Sequence, residues 1–321
     1  MNDVGVAELD RVSLAALSWL RGHLPDFRLP ADAGRPDVDR NVTLKPLGEL
    51  AQLSLSTLRA SEPDSTQHQL AREMLDFAWE ETSQGELFLS LVRDEPHATY
   101  PMEIYGSFAE AGLHQPEFEE YARFMATTRA WRLTEYDPTR ALALFNTERR
   151  MGVPAHPGRD RDRDREEAMR RTWLGGLAEP WSFELRAGYA LTHYVFHVTD
   201  WGQEPGRLPA EVCDYLTLWL PSWLDSCVAN EHWDLTGELL AVAAALPEPV
   251  PVAEAWQAYA TTAQSMAGAV AESGPPPTRE TADTFLSCYH STVAGAFAAV
   301  LAAGRLRAAA PPVTAAGGGR P

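Results

Sequence analysis

The chain has 321 residues, 45% hydrophobic and 22% charged, with a formal net charge of -18. That length and balance describe a globular protein able to bury a large core, as one large domain or two ordinary ones, and exclude a disordered polymer. The negative charge disfavours binding to nucleic-acid phosphates or anionic lipid, and three cysteines (Cys213, Cys227 and Cys288) make no disulfide framework or zinc-finger pattern.

The first predicted element is an amphipathic helix over residues 6–20. Early acids and the lack of a basic n-region argue against a signal peptide there. Residues 25–40 are rich in Pro, Asp and Gly and read as irregular. Helical periodicity resumes over 43–58, 66–82, 100–111 and 116–131, the last opening on Pro116 with acids in its first turn. Asp137-Pro138 opens another helix to about residue 151. The alternating run at 156–165 (HPGRDRDRDR) reads as a solvated linker or helix lead-in. Further helices are predicted over 165–177, 182–199, 209–228 with Pro221 inside, 234–246, 252–272 and 281–306. The longest apolar run, 293–303, falls short of the ~20 residues that span a bilayer.

Strand patterns are scarce and no repeat consensus is visible. The expected fold is therefore all-α: an α/α-toroid-like or curved array of antiparallel helix pairs. Residues 1–307 read as one helical domain, with 156–165 as the place for a subdomain break and 308–321 as a disordered tail. The expected location is the cytoplasm, with no nucleic-acid or membrane partner.

The segment RAGYALTHYVFHVTDWG, residues 186–202, carries the chemistry. In a helix Arg186, Tyr189, His193, His197 and Asp200 share one stripe, while the other faces are apolar. Such a helix is expected to be buried, so its polar groups need one another, a ligand, water or a metal. The leading reading makes His193 a general acid or base and Asp200 its orienting partner. Arg186, Tyr189, His197, Trp201, Asp234 and Glu238 complete the site or network. Trp181, Tyr194, Phe196 and Trp201 would give an apolar wall for a small hydrophobic substrate.

A second alternative uses His193 and His197, at i and i+4, as metal ligands, with Glu231, His232, Asp234 or His290 supplying the rest. Otherwise no cofactor is expected, because neither a dinucleotide-binding nor a P-loop signature is present. Structural readings compete throughout. Asp234 also suits a helix N-cap, His290 a satisfied core position, and the whole stripe a packing network. Glu238, on an apolar helix, needs a buried partner such as Arg186. Glu103 could face a pocket or the surface.

The residues Thr192-His193, Phe196, Thr199-Asp200 and Gly202, followed by Asp234-Leu235 and Gly237-Glu238-Leu239-Leu240, resemble an uncharacterised all-helical family of actinobacteria. Its members are seen near natural-product gene clusters, with an aromatic residue where this chain has His197. The resemblance implies an α/α-toroid-like fold and a tailoring role in biosynthesis, and it weakens the two-histidine metal site. The resulting expectation is a tailoring enzyme doing acid–base chemistry (cyclisation, dehydration or isomerisation) on a hydrophobic small molecule in a buried helical cavity. The alternative is a non-catalytic helical binding or scaffold protein for a small ligand or protein partner.

Overall fold

The computed structural model describes residues 4–35, 37–154, 158, 160–279 and 284–309. The described residues form thirteen α-helices and no strand: α1 (Val6–Gly22), α2 (Arg40–Ala60), α3 (Thr66–Glu81), α4 (Glu86–Asp94), α5 (Tyr100–Glu110), α6 (Pro116–Met125), α7 (Pro138–Arg150), α8 (Arg161–Arg171), α9 (Leu185–Val198), α10 (Ala210–Ala229), α11 (Trp233–Ala245), α12 (Ala253–Ala258) and α13 (Thr284–Ala309). The fold is all-α, as expected. Side-chain caps start several helices. Asp39, Ser65, Gln115, Asp137, Asp160 and Glu184 each accept from a backbone N–H of the first turn, satisfying donors that have no partner within the helix.

Six helices pack in a closed order. α2 lies on α5, α5 on α7, α7 on α9, α9 on α11, α11 on α13, and α13 returns to α2. The other helices attach to this cycle: α1 on α13 and α3, α3 on α2, α4 on α5 and α6, α8 on α7, and α10 on α11 and α12. α13 packs closely on α11 and on the turn that holds Tyr259: a Cβ on Gly237 would lie 3.2 Å from the Gly295 backbone N. A Cβ on Gly295 would lie 2.0 Å from the hydroxyl of the fully buried Tyr259. α13 is long and apolar enough to cross a membrane by length and composition, but 72% of its apolar window is buried within the fold. Its apolar surface is used by α1, α2 and α11.

The structure departs from the sequence reading at several places. Helix α4 is added; Ser83, Gln84 and Gly85, all at positive φ, separate it from α3. The helix expected over 116–131 stops at Met125, where the Thr127 and Thr128 hydroxyls donate back to the carbonyls of Phe124 and Met125. The helix expected over 252–272 ends after a π-helical turn, Tyr259–Ala263. Gly268, at φ 102, then brings the chain so close to α1 that a Cβ would meet the Ala15 carbonyl oxygen at 2.1 Å. Pro221 sits inside a continuous α10.

The Arg-Asp run is helical from Arg161 onward. Arg161 bonds the Val153 carbonyl at 2.7 Å and pairs with the buried Glu148 at 3.0 Å. Residues 155–157 and 159 lie outside the described residues. So do 310–321 of the expected tail, and α13 continues to Ala309.

Candidate functional site

Helix α9 carries the stripe, but not all of it is buried. Arg186 is exposed in the first turn, so the expectation that it joins His193 and Asp200 in one network is corrected. Glu184 caps that end and leaves Arg186 pointing into water, where a guanidinium needs no partner. Tyr189, His193 and His197 follow on the same side. At the other end Asp200, Trp201 and Gly202 take φ values of 51°, 56° and 82°. The Thr199 hydroxyl donates to the Val195 carbonyl at 2.7 Å and accepts from the Gly202 N–H at 2.9 Å, fixing this left-handed turn. Gly202 is required there twice over, by its φ and because a Cβ would meet Leu301 at 2.6 Å.

The turn delivers Asp200 to an arginine clamp. Arg150 Nε donates to its Oδ1 at 2.6 Å, Asn146 Nδ2 to the same atom at 3.1 Å, and Arg149 and Arg59 lie 2.9 and 3.5 Å from Oδ2. Arg150 also donates to Gln52 at 2.7 Å, which accepts from Ser107 at 3.0 Å, and Arg59 pairs with Glu110. These bonds tie α2, α5 and α7 to the end of α9, so side chains bridge the cycle at this level. Burial alone would raise the Asp200 carboxyl. The charge and hydrogen bond of Arg150, then Arg149 and Asn146, outweigh it and hold the group down at about 2. Burial in turn pulls the Arg150 guanidinium below its usual range, against the attraction of Asp200. Among the described residues Asp200 makes no contact with His193. Ionised at neutral pH, it ties α2 and α7 to the end of α9 and does not orient His193.

His193 belongs to a second cluster, built from α2, α9, α11 and α13. Its Nδ1 lies 2.8 Å from the Tyr189 carbonyl and 4.0 Å from Glu238 Oε2. Thr192 donates its hydroxyl to Glu238, and Tyr189 donates to Asp234 Oδ2 at 2.7 Å. Across the cycle His290 Nδ1 lies 3.1 Å from Glu49, and its Nε2 lies 3.6 Å from both Asp234 Oδ2 and Glu238 Oε1. Lys45 stands 3.5 Å from Glu49. Glu238 thus finds its buried partners in Thr192 and His290, not Arg186, and Asp234 sits buried in the first turn of α11, where His232 takes the N-cap position. Glu103 pairs with Arg140.

The electrostatics of this cluster run opposite to the clamp. Burial opposes charge on His290, but the nearby carboxylates of Glu238, Glu49 and Asp234 prevail and push it up to about 11. Burial, reinforced by Glu238, raises Asp234. Glu238 is lowered, because His290, His193 and Thr192 outweigh its burial. The Tyr189 phenol is raised by burial beside Asp234. The cluster is reachable: the side chains of His193 and His290 are 43% and 30% exposed, against 4% for Asp234 and 6% for Glu238.

His197 stands apart. Its ring centroid lies 6.0 Å from those of His193 and Trp201, and no hydrogen bond to it is present among the described residues. Burial, with His193, Arg140 and Arg150 nearby, holds it well below its usual range and so neutral. Among the described residues the His, Asp and Glu atoms that converge are those of Asp234, Glu238 and His290; His193 and His197 do not join them as a metal-holding pair. Of the suggested additional ligands, Glu231 is exposed, and His232, at the N-cap position of α11, is not among the converging groups. The aromatic wall is also redistributed. Tyr194 and Phe196 are core, Trp201 stacks on Phe196 at 5.1 Å, and Trp181 is 82% exposed.

The sequence reading missed Glu49, Lys45, Arg59 and Arg150. A signal existed on α2: Lys45, Glu49, Gln52, Ser56 and Arg59 recur at spacings of three and four within a largely apolar helix, the same logic that singled out α9. A family model described as a domain of unknown function (DUF6895) matches residues 13–300, so the chain belongs to that family. No curated protein and no solved structure matches it.

Proposed function

We propose that this member of the DUF6895 family is an enzyme that performs acid–base chemistry on a small organic molecule, with His193 transferring the proton. One observation carries the reading. Ionisable groups from four helices meet at a solvent-reachable part of the helical cycle, and His193 is the most exposed imidazole among them. The contact of its Nδ1 with the Tyr189 carbonyl favours the tautomer with hydrogen on Nδ1, which leaves Nε2 free to accept or give a proton. Asp234, Glu238, His290 and Tyr189 then set the field around it, and Asp200 is reassigned to holding the cycle together. The closed order of α2, α5, α7, α9, α11 and α13 supports a toroid-like arrangement.

The proposed reaction is a cyclisation, dehydration or isomerisation of a largely hydrophobic intermediate, a cytoplasmic tailoring step in natural-product biosynthesis. The substrate's polar end would face this cluster. The test is complementation of a gene deletion with wild type and with His193→Ala. Wild type should restore product, while the variant, folded by circular dichroism, should leave its precursor to accumulate. Product at the wild-type rate from the variant would refute the assignment. A non-catalytic binding role is the second reading, favoured by the side chains that bridge the interior at Asp200. It predicts that deletion accumulates no precursor.

A further inference from the structure

We infer that Asp234, Glu238 and His290 form a binding site for one divalent first-row transition-metal ion. The two carboxylates are one helical turn apart on α11, and the imidazole faces them from α13. Their ligand atoms all lie within 4.8 Å of one another. His290 Nε2 is 3.6 Å from each carboxylate oxygen, too far for a hydrogen bond to either. Ligand bonds of about 2.0–2.2 Å at tetrahedral or octahedral angles place neighbouring donor atoms roughly 3.0–3.5 Å apart, so an ion needs only a small closure of this group.

Two further observations point the same way. The Asp234 carboxylate is 4% exposed; its Oδ2 faces His290 and accepts from Tyr189, while its Oδ1 is buried with no hydrogen bond of normal geometry, an expensive arrangement that a cation shared by both oxygens would relieve. Each of the three residues also has an outer partner that orients it. Tyr189 donates to Asp234, Thr192 donates to Glu238, and Glu49 engages His290 Nδ1, which directs Nε2 at the carboxylates. Metal-binding imidazoles and carboxylates are held by outer partners of this kind. One nitrogen and two carboxylates suit zinc, manganese or iron(II); the ion takes the place of the Nε2 proton of His290, which is released to solvent, and three protein ligands leave a position for water or a substrate oxygen.

The inference stands apart from the acid–base reading. Metal content is read on the resting protein, and His193→Ala, which tests that reading, removes none of the three ligands. The experiment strips the full chain with chelator, titrates it with Co²⁺ followed by visible absorption, and measures bound Co²⁺ and Zn²⁺ after dialysis by elemental analysis. Wild type should bind about one equivalent, with d–d bands of an N/O site. Asp234→Asn and His290→Gln, folded by circular dichroism, should lose it, and Glu49→Gln should weaken it by about 10–100-fold. If the ligand variants do not fold, Glu49→Gln and Tyr189→Phe decide by their affinity. Absence of saturable binding to wild type would overturn the inference. So would unchanged binding in the ligand variants, or, where those do not fold, in both outer-partner variants.

Discussion

Asp200→Asn separates a structural from a catalytic role for a carboxylate held by three arginines and an asparagine. Asp200 is 3% exposed, and its partner Arg150 has a side chain 4% exposed. Removing one member of such a buried pair strands the other charge, and the expected loss is about 3–5 kcal/mol. Asparagine keeps an acceptor and tolerates the φ of 51°, so the variant should fall at the lower end; Asp200→Ala should lose about 1–2 kcal/mol more at the left-handed position.

The pH dependence is specific. The folded carboxyl titrates at about 2 against 3.8 unperturbed, so its linked stabilisation is complete above the unfolded value and is lost as pH falls through the folded one. That difference corresponds to about 2 kcal/mol, of which about 1 kcal/mol should be gone by roughly pH 3. Urea unfolding of both proteins across this range reads the gap between them. It should be flat above about pH 5 and narrow below about pH 4. A loss smaller than about 1 kcal/mol at neutral pH, or a gap that does not narrow in acid, would refute the clamp.

The remaining predictions concern packing and one imidazole. Gly295→Ala should destabilise by about 1–3 kcal/mol despite alanine's better helix propensity, because the new methyl meets Tyr259; a thermal melt checks it, and an unchanged midpoint would contradict the close packing of Tyr259 on α13. Gly22→Ala, at the end of α1 with nothing within 4 Å of the added carbon, should instead stabilise by up to about 1 kcal/mol in the same assay. His197 should stay neutral while ordinary histidines titrate, so its ring resonances in a ¹H–¹⁵N spectrum should hold steady from about pH 8 down to about pH 6. A midpoint near the usual histidine value would show that His197 is better hydrated than its position implies.

The amino-acid sequence by itself determined most of the helices, though not α4, and singled out the polar stripe of α9. Local signals suffice for both: capping residues such as Ser65 and Asp137, apolar repeats at three and four residues, and polar groups on an otherwise apolar stripe. It could not decide which polar groups meet. A continued helix would put Arg186 and Asp200 on one face with His193, yet the two ends of α9 sort them apart, one into solvent and one, by a left-handed turn, into the arginine clamp. Glu49 and His290 are 241 positions apart and meet only because α13 returns to α2. Helical periodicity reports the face a residue occupies. Which partner stands opposite is set by the closure of the helical cycle, a long-range packing outcome that no local window of sequence contains.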